Sequence, residues 1–327
     1  MHRSGTSALA RVLNLHGVFL GQSLLQADPA NERGYWEHDG LWRLDERILA
    51  ALGREWSDPG RLPERWWERP EVRVLAQELI VTLRRDFGGK ALWGVKDPRI
   101  CRLMPLWHDA VRQLGAREHF VIVLRRPGEV AASLARRDGM PPERARALWL
   151  RYMLDAERHT RGASRAFVTY DQLLADWRVA LARVVDGTGL DLAAAGAEAA
   201  TQVDEFLSPQ LRHHRVSPGS GTGILAERAE AIYEILAAEG GALDTAALDR
   251  AAEELDALEE AFAGGGARTI VPVAEPADRE RRISYLEWCN IFGLHESDGQ
   301  VMAERMMQRW HGQPTVHLIA VLARGEG

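Results

Sequence analysis

The sequence holds little cysteine, almost no lysine and no long apolar run, and each shortage excludes something. Cys101 and Cys289 are the only cysteines in 327 residues, far apart and without CxxC or Cys/His spacing around them. Neither a disulfide framework nor a structural zinc site is expected, and a reducing cytoplasm is the fitting compartment. No stretch approaches the roughly 18 apolar residues of a membrane helix, and Met1-His2-Arg3-Ser4-Gly5 lacks the apolar core of a signal peptide. A positive excess is missing too. The formal net charge of −6 excludes a general nucleic-acid binder, because counterion release needs a basic face. Among 41 basic residues only Lys90 and Lys96 are lysine. A chain that writes nearly every cation as arginine, yet keeps Lys96, points to a place where a compact point charge is needed.

Composition is otherwise that of a folded enzyme-sized chain, with 46% hydrophobic and 27% charged residues. Helical apolar spacing covers 7–16, 41–52, 70–86, 103–114, 128–137 and 142–159, and a further helix is expected from Asp171 to about Val185. Between them lie short apolar runs, Ala91–Val95, Phe120–Leu124 and Ala166–Tyr170. The middle run is β-branched, continuous and ended by Arg125-Arg126-Pro127-Gly128, the signature of a strand buried on both faces. Such strands alternating with helices predict an α/β fold, a parallel sheet flanked by helices. Beyond Asp186 the sheet signals fade. Residues 226–266 read as a helical extension ending in a Gly-rich linker, after a main domain over 1–225; 267–327 read as an appendage without an assigned role. Within that appendage the stripe Met302, Met306 and Trp310 is expected to be core.

Two stretches carry anion chemistry. His2 to Leu9 is a loop of small residues entering a helix, so its backbone N–H groups and the helix dipole can hold a phosphate-like anion beside Arg3. The competing reading is a plain N-terminal cap, with Ser4 or Thr6 as the capping residue. It is not a Walker A loop, which needs GxxxxGK[ST]. Arg125 stands at the carboxyl end of the best strand, where open α/β sheets place ligands, and Ser133 follows on the next helix.

Together these stretches resemble the sulfotransferases that use 3′-phosphoadenosine 5′-phosphosulfate (PAPS). His2 to Leu9 is similar to the family's 5′-phosphosulfate loop, and Leu124 to Leu134 to its 3′-phosphate motif. Lys96-Asp97-Pro98-Arg99 is similar to the turn whose lysine contacts the sulfuryl group, and Val168 to Leu174 to a segment near the nucleotide. The four stretches keep order and spacing over residues 2 to 174. The resemblance implies a three-layer, P-loop-like parallel sheet and transfer of a sulfuryl group from PAPS to an acceptor hydroxyl, with PAP released and no metal. It implies Arg3, Ser4, Gly5, Thr6, Ser7, Arg125, Ser133 and Tyr170 at the nucleotide, and Lys96, Arg3 and Glu37 in catalysis. Arg3 and Arg125 are then expected a nucleotide's length apart on one sheet edge.

The departures are specific. Pro98 stands where cytosolic members place a histidine base; bacterial and carbohydrate-type members often use a glutamate, which the resemblance assigns to Glu37 in Gly34-Tyr35-Trp36-Glu37-His38-Asp39, with His38 and Asp39 competing for the role. Their RKG segment is missing, leaving Arg212 or His213 to replace it. Family members also precede the loop with a buried strand, so the first strand is absent here and residues encoded upstream of Met1 are expected to supply it. The acceptor is expected to be a carbohydrate or a small metabolite, the clustered Trp36, Trp42, Trp56, Trp66 and Trp67 offering either core or sugar-binding faces. The rival readings are an ATP/Mg kinase on a similar sheet and a non-catalytic, decayed sulfotransferase domain serving as a binding module. Oligomeric state is left open.

Overall fold

Continuous apolar runs become the sheet, and amphipathic segments become the helices that bury it. The structure, a computed structural model, describes residues 1–27, 31, 33–192, 196–207, 223–238, 243–264 and 316–322. Its elements run α1 (Thr6–Leu15), α2 (Asp39–Ala51), α3 (Pro70–Phe87), β1 (Leu92–Lys96), α4 (Ile100–Gln113) and β2 (Ala116–Leu124). They continue α5 (Pro127–Asp138), α6 (Pro142–Thr160), β3 (Arg165–Thr169), α7 (Tyr170–Ala175), α8 (Trp177–Thr188), α9 (Ala197–Phe206), α10 (Ile224–Ala237), α11 (Thr245–Gly264) and β4 (Val316–Leu322). The chain divides into two units, Met1–Glu260 with Thr315–Gly327, and Ala261–Pro314. The first holds every feature discussed below; of the second, only the last residues of α11 are described.

The fold is mixed α/β, mostly helical, around one small parallel sheet in the order β1-β4-β2-β3. β2 shows why it is central. Phe120, Ile122 and Leu124 enter one core cluster, whereas Val121 and Val123 enter a second. Alternate side chains leave opposite faces of a strand, so both faces of β2 are covered by apolar side chains. α1, α7, α8 and α9 contribute to the second cluster; α2, α3, α4 and α6 contribute to the first, together with Ala229, Ile232 and Leu236 of α10 and Leu248 and Leu255 of α11. The helices expected as an extension after 225 thus share the main core.

β4 corrects the expectation that sheet signals end near Asp186; no strand precedes α1 among the described residues, as the sequence implied. Val316–Leu322 lies between β1 and β2, with Ala320 in register with both Val95 and Phe120. β1 and β2 are each hydrogen-bonded to β4, so this late segment closes two ladders whose backbone groups would otherwise be buried unpaired. Arg212, His213, the proposed linker residues 265–266 and the Met302, Met306 and Trp310 stripe lie outside the described residues.

Local chemistry explains two further departures. The helix expected from Asp171 to Val185 is two, because the Asp176 side chain accepts from Arg178 N and caps α8. Pro105 sits inside α4 and cannot donate to the Cys101 carbonyl; His159 Nδ1 donates to that oxygen at 3.2 Å. Burial lowers the His159 pKa against the opposing pull of Asp155 and of this bond.

Candidate functional site

The carboxyl ends of β1 and β2 and the amino end of α1 meet, and the candidate residues lie there. α1 starts at Thr6 with Gly5 as N-cap in the left-handed region, φ 89°. A Cβ at Gly5 would stand 2.1 Å from the Tyr170 ring, so only glycine lets Tyr170 close against this loop. Ser4 is fully buried and its Oγ has no hydrogen-bond partner among the described residues. A helix leaves its first N–H groups without acceptors inside the helix, which makes this end of α1 an electropositive cradle.

Arg125 follows β2 directly and is almost fully buried. Its Nε donates to Glu129 at 2.9 Å, its Nη1 donates to the Arg3 carbonyl at 3.1 Å, and its guanidinium lies 4.8 Å from the Tyr170 ring centroid. Nη2 is buried without a partner among the described residues, a donor with unused capacity beside the loop. Trp149 Nε1 donates to the Arg125 carbonyl at 3.1 Å and pins the strand end. Arg3, at φ 65°, donates from Nε to Ser133 Oγ at 2.7 Å. Arg3 and Arg125, expected a nucleotide's length apart, therefore adjoin on one edge: Arg3 reaches the hydroxyl assigned to the 3′-phosphate, and its carbonyl receives Arg125.

The third group sits at the end of β1. Lys96 Nζ donates to Glu37 at 2.6 Å, to the Tyr35 carbonyl at 3.0 Å and to Ser7 Oγ at 3.3 Å, and both charged side chains are sealed from solvent. Ser7 Oγ donates to the same Tyr35 carbonyl at 3.2 Å. An ammonium has three protons, and these three acceptors match them. A lysine was kept here where an arginine fork would not fit so closed a space.

Of the three carboxylate or imidazole candidates, only Glu37 joins this cluster. His38 is the N-cap of α2: its Nδ1 accepts from Leu41 N at 3.3 Å, and Nε2 lies 3.2 Å from Asp86. Burial lowers its pKa against the opposing pull of Asp86. Asp39 pairs with Arg43 on the exposed side of α2.

Sequence reasoning quoted Arg99 without giving it a role. It is buried, donates to Asp97 at 2.9 Å and to Glu46, lies 4.0 Å from Glu37 and stands over the Trp42 ring. Burial opposes its charge, but Asp97, Glu37 and Glu46 outweigh it and raise its pKa. Asp97 Oδ1 also accepts from Arg99 N at 2.8 Å, closing the turn after β1. Asp45 lies fully buried nearby, and burial pushes its carboxyl well above the usual range, with the Asp97 charge adding to the shift. The only advance signals for this network were the (i, i+2) spacing of Asp97 with Arg99 and the (i, i+4) spacing of Arg125 with Glu129. The tryptophans separate: Trp66 is core, Trp56 packs on His2 with ring centroids 4.4 Å apart, and Trp67 is exposed.

Comparisons with protein-family models, curated proteins and solved structures returned no match to this chain. No helix among the described residues is long and apolar enough to cross a membrane.

Proposed function

We propose that this chain is a sulfotransferase that moves the sulfuryl group of PAPS to an acceptor hydroxyl, with release of PAP, on a P-loop-like three-layer sheet. The observation that carries the reading is the convergence of three groups on one sheet edge. They are the loop at the start of α1, the Arg125, Ser133 and Tyr170 cluster, and the buried Lys96 and Glu37 pair. The residues fit a bisphosphorylated nucleotide because Arg125 Nη2 and Ser4 Oγ are buried polar atoms with bonding capacity to spare.

The roles follow from charge. As the S–O bond to the leaving phosphate breaks and the S–O bond to the acceptor forms, negative charge grows on the leaving group. The α1 amino end and Arg3 stabilise it there, where preorganised donors act without reorganisation. Lys96 exchanges one of its present acceptors for a sulfuryl oxygen when the donor binds, and Glu37, released from that bond, receives the acceptor proton. Arg125 and Ser133 hold the 3′-phosphate and so favour PAPS over ATP. The acceptor is a carbohydrate or small metabolite.

Thermal unfolding with PAP, and separately with ATP and magnesium, tests the reading. PAP at about 100 times its Kd adds ~2.7 kcal/mol of stability. Stabilisation by ATP and magnesium alone favours a kinase, and stabilisation by neither ligand removes the nucleotide site. Transfer of radiolabelled sulfate from PAPS to a glycan and metabolite panel then identifies the acceptor.

A further inference from the structure

A cavity of about 590 Å³ opens beside α1, lined by Arg11, Arg33, Trp36, Gln202, Glu205 and Phe206 together with Ala27 and Gly34. It shares the Tyr35 to Glu37 segment with the base, and Arg11 lies one helical turn along α1 from Ser7. Two features set it apart. Trp36 is held at φ 58°, one of three non-glycine residues in the left-handed region among the described residues and a costly conformation for a bulky side chain. Its indole is fixed by Nε1 donating to the Arg33 carbonyl at 3.0 Å and stands edge-on to Phe206, with centroids 6.4 Å apart.

The second feature is charge. Buried arginines elsewhere in the structure answer to carboxylates, as Arg99, Arg102, Arg125 and Arg151 do. Among the described residues, Arg11 and Arg33 face the cavity with neutral partners only. Arg11 donates to Asn14 at 2.8 Å and lies 4.6 Å from the Trp36 centroid; Arg33 donates to the Phe206 carbonyl and lies 5.6 Å from the Phe206 centroid. Burial lowers the Arg11 pKa, the mark of a cation partly desolvated without a counter-charge. The one carboxylate on the lining, Glu205, is exposed and within ion-pair reach of neither arginine.

We infer that this cavity is an acceptor subsite for an acidic sugar. Two arginine forks take the carboxylate, the Trp36 and Phe206 rings take the pyranose, and Gln202 and Glu205 bind hydroxyls. The inference deepens the proposed sulfotransferase reading, since it names the acceptor class, but binding at the cavity is measurable without PAPS.

The test is ligand-observed NMR of the full chain with methyl glucuronide, methyl glucoside and inorganic sulfate, repeated on Arg11→Gln and Arg33→Gln. Expected is glucuronide binding at least about tenfold tighter than glucoside, and weakened about tenfold in Arg11→Gln, whose neutral partners leave the fold intact. Glucoside binding equal to glucuronide overturns the anionic class, sulfate binding as tightly as glucuronide overturns the sugar, and no binding by any of the three overturns the subsite. Glucuronide binding that persists in a chain with no PAP affinity leaves this inference standing and removes the sulfotransferase reading alone.

Discussion

Lys96 Nζ and Glu37 Oε1 lie 2.6 Å apart in a pair shielded from water, joining the end of β1 to the residue just before the cap of α2. A buried pair of this kind is costly to break, because the survivor is left as an uncompensated charge. Lys96→Ala should therefore lose turnover and also ~3–5 kcal/mol of stability. Glu37→Gln should lower turnover ~10²–10⁴-fold with PAP affinity retained. A double variant, Lys96→Met with Glu37→Gln, should regain stability but not activity. Thermal unfolding alongside transfer assays separates the two effects.

Arg125→Ala removes the guanidinium that lies over the Tyr170 ring and donates to the Arg3 carbonyl. PAP affinity should fall by about tenfold or more, as expected for loss of a charge-assisted bond, while any residual turnover at saturating PAPS changes less. Calorimetry showing unchanged PAP affinity would falsify the 3′-phosphate role.

Arg99 acts through others: it ties the turn after β1 to Glu46 on α2 and faces Glu37. Arg99→Gln should cost up to about 10²-fold in turnover, the scale of a small misplacement, with PAP affinity unchanged and partial rescue by Arg99→Lys. Amine labelling followed by mass spectrometry gives an independent readout, since Lys90 and Lys96 are the only lysines. Exposed Lys90 should label equally in all variants and Lys96 faster in Arg99→Gln.

His108 donates from Nδ1 to Glu118 at 2.8 Å and lies against the His159 carbonyl. Burial opposes its charge, but the bond and charge of Glu118 prevail and raise its pKa. A raised folded-state value means the stabilisation is full below the unfolded pKa of about 6.5 and fades as pH rises through the folded value. The Tm gap between the native chain and Glu118→Gln should thus be widest near pH 6 and shrink towards pH 9. A gap independent of pH would remove the charged pair.

Ala320 sits between Val95 and Phe120, so its N–H serves a ladder whichever neighbour it faces. Ala320→Pro should cost ~3 kcal/mol or more and collapse hydrogen-exchange protection in β1 and β2 together. Unaltered protection would place β4 outside the sheet.

The extent of α3, α5 and α6 and the positions of β1 and β3 were legible in the sequence to within a residue or two, because apolar periodicity and proline boundaries are local properties; β2 ends where expected but starts four residues earlier, at Ala116. So were the places of Gly5 before α1, Lys96 at the end of β1 and Arg125 after β2. The sequence alone determined that a parallel sheet with flanking helices would form and that anion-binding residue types would sit at the ends of its elements. Tertiary structure decided what no window of neighbouring residues contains. It paired Lys96 with Glu37 and not with His38 or Asp39, set Arg3 against Ser133, gave Arg99 its partners and brought Val316–Leu322 between β1 and β2. Each of these depends on which distant groups share a desolvated space, where a buried charge or an open backbone ladder must find its partner whatever the separation along the chain.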